Sequence, residues 1–196
     1  MRTVPLFVFA YGSLIFRPSK YFGERRAAVA RGFRRAFRQA SRDHRGTPSL
    51  PGRVVTLLHE EGASCGGALY TVTDADVEAA LVELDDRESG GYDREHLRVE
   101  VIGEPHPVGA VTWIAHPTNE NHLPPSPIAV VADVVRRARG KSGPNIEYVL
   151  RLAASLRALG HHDPEVFALE AALSLRAPDD VAEHAPSGAV AGARPP

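Results

Sequence analysis

One cysteine, Cys65, occurs in 196 residues. That scarcity excludes an intramolecular disulfide and any zinc cluster built on several thiolates. No apolar run approaches the roughly 20 residues that span a bilayer. The opening Met1-Arg2-Thr3-Val4-Pro5 lacks the apolar stretch and small-residue cleavage site of a signal peptide. A soluble, cytoplasmic protein without a membrane partner is the expectation. No repeat of 20–50 residues is present, nor a Gly-x-Ser-x-Gly elbow, nor a Gly-x4-Gly-Lys-Ser/Thr phosphate loop. The nine histidines fall at no helical metal-ligand spacing, and His161 and His162 are adjacent and so point to different faces. No metal is expected. Cys65, between Ser64 and Gly66-Gly67 with no histidine beside it, reads as a buried structural thiol.

What is present is globular in composition, with 43% hydrophobic and 24% charged residues. A chain of this length buries roughly two thirds or more of its unfolded surface and needs no staple. One domain over 1–176 is expected. Residues 177–196, rich in Ala, Pro and Gly without periodicity, read as a disordered tail. Net charge is −1, unevenly spread: residues 1–53 carry 12 Lys+Arg against 2 Asp+Glu, and the remainder 11 against 22. A basic first third attracts an anion, either a small carboxylate or nucleic acid. Alternatively the two parts fold onto each other and neutralise, which is the favoured reading.

Leu6-Phe7-Val8-Phe9-Ala10 reads as a buried strand running into a loop at Tyr11-Gly12-Ser13. Residues 28–39 suggest an irregular strand. Residues 53–58 and 67–72 suggest two strands around a Gly-containing turn, and further strands follow at 95–102 and 108–115. Between them, Thr73 as N-cap with Asp76 three residues on opens a helix. Its apolar face is Val77, Ala80, Leu81 and Leu84, and Gly90-Gly91 break it. Helices are also predicted from Ser126-Pro127 to Gly140, from Pro144 to Gly160, and from Asp163-Pro164 onward. Strands first and helices later indicate an α+β fold.

Three stretches carry unusual combinations. In Tyr11-Gly12-Ser13-Leu14, glycine lets the backbone approach a ligand and free amides can form an anion nest; a plain turn explains it equally. In Leu84-Asp85-Asp86-Arg87-Glu88-Ser89-Gly90-Gly91-Tyr92, three carboxylates crowd a helix end that prefers cations. A partly buried carboxylate there suits a general base with a raised pKa; a solvated helix end is the alternative. The third, Gly140-Lys141-Ser142-Gly143-Pro144-Asn145-Ile146-Glu147-Tyr148, feeds a helix N-terminus where a carboxylate can bind, although capping alone accounts for such a loop.

Five segments together resemble the ChaC-type (glutathione-specific) γ-glutamylcyclotransferases. They are Phe9-Ala10-Tyr11-Gly12-Ser13-Leu14-Ile15, Ser41-Arg42-Asp43-His44-Arg45-Gly46-Thr47-Pro48, Pro51-Gly52-Arg53-Val54-Val55-Thr56-Leu57, Arg87-Glu88-Ser89-Gly90-Gly91-Tyr92, and Ser142-Gly143-Pro144-Asn145-Ile146-Glu147-Tyr148. The resemblance runs from about residue 7 to about 173. It implies a small mixed β-barrel with flanking helices. It also implies cleavage of glutathione to 5-oxoproline and cysteinylglycine without a cofactor. By position, Glu88 matches the catalytic glutamate. Val8, Phe9, Ala10, Tyr11, Gly12, Ser13 and Leu14 match the segment that binds the γ-glutamyl head, and Tyr148 a tyrosine near the substrate. Ala10 stands where the family usually has glycine, and Trp113 where tyrosine is common. The stretch Asn119-Glu120-Asn121-His122-Leu123-Pro124 also departs from the family. The expected partner is a small γ-glutamyl compound, not nucleic acid, with the oligomeric state open. Alternatives are a cyclotransferase of other γ-glutamyl amines or peptides, and a non-catalytic γ-glutamyl-binding module. Arg45 and Arg53 are expected to hold either substrate carboxylates or, preferentially, nearby structure.

Overall fold

Five strands close into a barrel in the computed structural model, which describes residues 5–175. β1 (Leu6–Ala10) runs into a 3₁₀ turn at Ser13–Ile15. β2 (Arg25–Ser41) and β3 (Gly52–Val72) form a long antiparallel pair. A second 3₁₀ turn, Asp74–Asp76, leads into α1 (Val77–Arg87), then β4 (Asp93–Val101) and β5 (Val108–Ile114). The chain continues as α2 (Ile128–Arg137), a two-residue hairpin of β6 (Arg139–Gly140) and β7 (Gly143–Pro144), α3 (Asn145–Ala158) and α4 (Pro164–Ser174). The barrel order is β1-β3-β2-β4-β5. All neighbours are antiparallel except β1 and β5, which close the ring in parallel at Val8 and Val111. The α+β mixed barrel with flanking helices is the architecture expected from the resemblance. The proposed tail, 177–196, lies outside the described residues.

The two strands predicted at 53–58 and 67–72 are one strand of 21 residues. The turn signal between them survives as an irregularity in the ladder. Arg31 pairs with Ser64 and Phe33 with His59, so Gly32 alone faces residues 60–63. Gly32 and Gly62 both take φ of +77° there, a conformation glycine adopts without steric cost. Because β2 supplies a partner on both sides, the extra residues bulge and the chain does not reverse. A second register shift lies between Ala36 and Gln39. There the Phe37 amide leaves the ladder and donates to Glu165 Oε1 at 2.8 Å.

Helix starts differ in detail from expectation. The Thr73 side chain accepts no backbone amide; its hydroxyl donates to Asp76 Oδ2 at 2.7 Å, because the 3₁₀ turn separates it from α1. Pro127 is the cap of α2, and the Ser126 hydroxyl donates to the Pro124 carbonyl instead. Asp163 caps α4 as predicted, accepting from the Val166 amide at 3.0 Å, with Pro164 in the first turn.

Helices α2, α3 and α4 pack on one another, and α2 and α3 also pack on β3. Their fully buried Val149, Leu152, Leu156, Val166 and Leu169 join the barrel core formed by Val8, Phe9, Leu57, Leu69, Val72 and Val99. The charge asymmetry largely resolves within the fold. Arg26 meets Glu104, Arg31 meets Glu100, Arg34 meets Glu60 and Glu165, Arg35 meets Asp163, and Arg45 meets Glu147. Each is an arginine of the basic first third on a carboxylate from beyond residue 53. No helix among the described residues is long and apolar enough to cross a membrane.

Leu152 is wholly buried where α3 meets the barrel core. Leu152→Ala is expected to lower the unfolding free energy by roughly 2–5 kcal/mol, read from urea denaturation. A change below 1 kcal/mol would mean that this interface collapses to fill the space.

Candidate active site

The buried guanidinium of Arg35, on β2, reaches three segments of chain. Its Nε donates to the Tyr11 carbonyl at 2.7 Å. Nη1 donates to Asp163, and Nη2 to the Gly66 carbonyl. The first bond fixes the end of β1, so residues 11–14 enter their turn from a defined point. A second set of bonds ties the same end to β5: Tyr11 Oη donates to the Trp113 carbonyl at 2.6 Å, and Thr112 Oγ1 to the Phe9 carbonyl at 2.9 Å. After the turn, the amides of Ile15, Phe16 and Arg17 bond back to Gly12 and Ser13 carbonyls. Among the described residues, the amides of Gly12, Ser13 and Leu14 donate to no other backbone carbonyl.

Gly12 packs closely against its neighbours. A Cβ there would lie 3.2 Å from Val55 Cγ2 and 3.4 Å from Tyr148 Oη. Tyr148 reaches this point because Asn145, at the start of α3, clamps β3. Asn145 accepts from the Arg53 amide at 2.6 Å and donates to the Arg53 carbonyl at 2.9 Å. One turn along α3, the Tyr148 hydroxyl accepts from the Val55 amide at 3.3 Å. Its own hydrogen has no protein acceptor among the described residues.

Glu88 closes α1, its amide donating to the Leu84 carbonyl at 2.9 Å. The chain then bends through Gly90 and Gly91, the latter with φ of +92°. Side-chain amides hold that bend. Gln39 donates to the Gly90 carbonyl at 3.1 Å, Asn121 to the same oxygen at 3.4 Å, and Asn119 to the Gly91 carbonyl. The Glu88 side chain is 17% exposed. Burial pushes its carboxyl above the usual glutamate range, while the Arg87 guanidinium, 3.8 Å away, works in the opposite direction. Arg87 also donates to Ser13 Oγ at 3.2 Å, so one side chain joins Glu88 to the turn after β1. Burial, with the Glu88 charge adding to it, lifts the pKa values of Tyr11, Tyr92 and Tyr148 above the ordinary range. All three are neutral hydrogen-bonding groups at neutral pH.

These residues surround one cavity of about 600 Å³, a size suited to a small-molecule ligand. Phe9, Ala10, Tyr11, Gly12, Ser13, Leu14, Glu88 and Tyr148 all line it. Val8 does not. It is fully buried in the barrel, paired with Tyr70 and Val111. Ala10 lies in β1 opposite Ala68, and among the described residues none but glycine has positive φ, so its methyl is tolerated. Trp113 lines the cavity and donates from Nε1 to Asp85 Oδ1 at 2.8 Å, which occupies one of the helix-end carboxylates. Arg45 donates to the Pro144 carbonyl at 3.1 Å and lies 3.5 Å from Glu147; Arg53 donates to the Phe37 carbonyl at 3.5 Å. Both hold structure. The loop at 140–144 is the β6–β7 hairpin. The Lys141 and Ser142 amides there bond to the Asp43 and His44 carbonyls, and the Asn145 amide at the start of α3 to the Ala138 carbonyl, so none of these three is free for a carboxylate. Cys65 is buried, its thiol pushed up to about 11 by burial.

The sequence gives no sign of Arg35 or Gln39, and it places Arg87 and Tyr92 in a recognisable segment without a role. Arg35 is one arginine among many in an arginine-rich strand. The signal for Gln39 and Tyr92 is visible only once the bulge in β2 and the Gly90-Gly91 bend bring them to the cavity. Tyr92 then donates to the Val55 carbonyl at 2.8 Å.

Removing the Arg35 guanidinium leaves the Asp163 carboxylate and two carbonyls without their donor. Arg35→Met is expected to cost roughly 3–5 kcal/mol of unfolding free energy, measured by chemical denaturation. A loss under 1 kcal/mol would show that Asp163 finds water or another partner.

Comparison with known proteins gives the family of the chain. The ChaC-like protein family matches residues 6–176. Gamma-glutamylcyclotransferase 2-3 of Arabidopsis thaliana is 39% identical over 170 residues, covering 82% of this chain and 84% of that protein. Glutathione-specific gamma-glutamylcyclotransferase 1 of Homo sapiens is 38% identical over 158 residues, covering 79% and 71% respectively. Among solved structures, the yeast gamma-glutamyl cyclotransferase specific to glutathione superposes with a TM-score of 0.81 at 25% identity, over 87% of this chain and 96% of that one. With a family match that takes in the barrel, the helices and every wall of the cavity, the chain belongs to the ChaC-like protein family.

Proposed function

We propose that the chain is a γ-glutamylcyclotransferase that converts glutathione to 5-oxoproline and cysteinylglycine, with Glu88 as general base and then general acid. The observation that carries this reading is the shielded Glu88 carboxylate on the same cavity as the turn at residues 11–14. The names of the Arabidopsis, human and yeast relatives support it.

The γ-glutamyl α-amine arrives mostly protonated. Ionised Glu88 draws in the ammonium group and accepts one proton when held about 2.6–3.2 Å from it. Burial suits it to this task by raising its affinity for that proton. The freed amine attacks the substrate's own γ-carbonyl carbon, from which the cavity holds it about 3–3.5 Å. A carbon–nitrogen bond forms, closing a five-membered ring, and the carbonyl π electrons move onto oxygen. Free amides of the turn after β1 are placed to receive that oxyanion. The oxyanion collapses, the bond to the cysteinyl nitrogen breaks, and that nitrogen takes the proton from Glu88; the ring nitrogen sheds its second proton to the same carboxylate, which passes it on, so cysteinylglycine leaves as an ammonium and Glu88 ends ionised. No water or second substrate is consumed. The neutral Tyr148 hydroxyl offers its hydrogen to the bound substrate. A cytoplasmic setting fits a chain with one buried thiol and no disulfide. Internal pairing of the basic first third argues against nucleic acid as the partner.

Glu88→Gln keeps the shape and removes the base. Release of 5-oxoproline from glutathione is expected to fall roughly 10²–10⁴-fold, and release at near-normal rate would remove Glu88 from the mechanism. The same variant should unfold no more readily than the parent at neutral pH. The carboxyl has a higher pKa folded than unfolded, so its contribution to stability is present below the unfolded value and is lost as pH rises through the folded one. Replacing it with a neutral amide removes a desolvated charge. By the same sign, the acid limb of kcat/KM against pH is expected above the ordinary glutamate value of about 4.3, and to vanish in Glu88→Gln.

A further inference from the structure

The mouth of the cavity gathers more positive charge than its neighbours balance. Arg17, Arg42, Arg45, Arg87 and Lys141 line the cavity against Asp43, Asp86 and Glu88, with Glu147 facing Arg45; His44 lines it too, its pKa held below the ordinary histidine value chiefly by burial. Lys141 is answered by Asp43 at 3.0 Å, Arg87 by Glu88, and Arg42 donates to Asn121 Oδ1 at 2.7 Å. Arg17, like Arg42, meets no carboxylate among the described residues. Its one hydrogen bond goes to a neutral acceptor, Ser142 Oγ, at 3.3 Å. His44 Nδ1 approaches the same hydroxyl at 2.8 Å, with Asp43 3.4 Å from its other nitrogen. A guanidinium and an imidazole from separate segments thus converge on one hydroxyl. The Arg17 charge is also felt by both Arg87 and His44. Like charges gathered without an anion are unfavourable, and away from the cavity four arginines of this first third, Arg26, Arg31, Arg34 and Arg35, find carboxylates within the fold.

The geometry points to Arg17, with His44 and Ser142, as the subsite for the C-terminal carboxylate of the leaving peptide, which makes this a cyclotransferase of γ-glutamyl peptides that end in a free carboxylate. The assignment rests on the reading of the cavity given above. Glu88 and the turn at 11–14 take the γ-glutamyl head, so the other end of a tripeptide extends away from them. Two residues of extended chain span about 7 Å, which carries the terminal carboxylate outward. A guanidinium and a hydroxyl suit a carboxylate by charge-assisted hydrogen bonds. A γ-glutamyl amine lacking a terminal carboxylate gains nothing from them.

The test compares glutathione with glutathione whose glycyl carboxylate is capped as the primary amide, by 5-oxoproline release, in the parent chain and in Arg17→Ala. Arg17 is exposed, so its replacement leaves the core intact. The parent is expected to favour glutathione in kcat/KM by about three- to ten-fold, chiefly through KM, as befits a solvent-screened pair. In Arg17→Ala that ratio is expected to fall toward one, and in the parent it should shrink as salt is raised. Turnover of both substrates at equal kcat/KM by the parent would overturn the subsite alone, as would an unchanged ratio in Arg17→Ala. No turnover of either substrate would overturn the cyclotransferase reading and the subsite with it.

Discussion

Arg35 is the constraint on which the cavity depends. Its guanidinium is cut off from water and therefore needs an oxygen for each of its nitrogens. It finds them on the end of β1, on β3 and on the cap of α4. Buried ion pairs contribute little to stability compared with apolar groups of the same volume. What an apolar group cannot do is hold three oxygens from three segments at fixed angles. The Tyr11 carbonyl is one of them, so the turn that faces Glu88 starts from a fixed point. Asp163 is in turn occupied by the Val166 amide. The helix cap and the entrance to the turn are thereby joined through a single side chain.

Glu88 is held by a different device. Three side-chain amides, from Gln39, Asn119 and Asn121, fasten the carbonyls of Gly90 and Gly91. This gives a role to the stretch at 119–123, which departs from the family pattern. Its backbone bonds to β2 through the Ala40 amide and the Arg38 carbonyl. Its asparagines then reach across to the bend behind Glu88. One face of β2 thus serves the turn after β1 through Arg35, and its far end serves the Glu88 bend through Gln39.

The sequence made the cavity legible where chemistry and local conformation coincide. Tyr11-Gly12-Ser13-Leu14 follows an apolar strand, and Glu88 precedes a glycine pair, so both were visible as places where a chain stops being regular. Alternation and run length located β1, β4, β5 and the helices. They did not show that 53–58 and 67–72 are one strand, because a bulge and a hairpin turn use the same glycines. Only the partner strand decides between them. Arg35 was hidden for a related reason. Every arginine in residues 25–45 has the same composition signal, and burial is a property of the closed barrel. Val8 shows the reverse case. It sits inside the recognisable segment, yet the barrel spends it on packing against its neighbours.

The ring closes through a parallel contact between its first and last strands, β1 and β5. Tyr11 meets the Trp113 carbonyl and Phe9 meets Thr112, across more than a hundred residues of intervening chain. On a growing polypeptide, the segment that carries the turn is made before its partner and waits until β5 has left the ribosome. Contacts so remote in sequence form late, after the entropy of a long loop has been lost. Any product of interrupted translation that ends before residue 108 therefore lacks the strand that finishes the ring. Such a fragment has the family's recognisable opening segment but cannot assemble the enclosure in which that segment works.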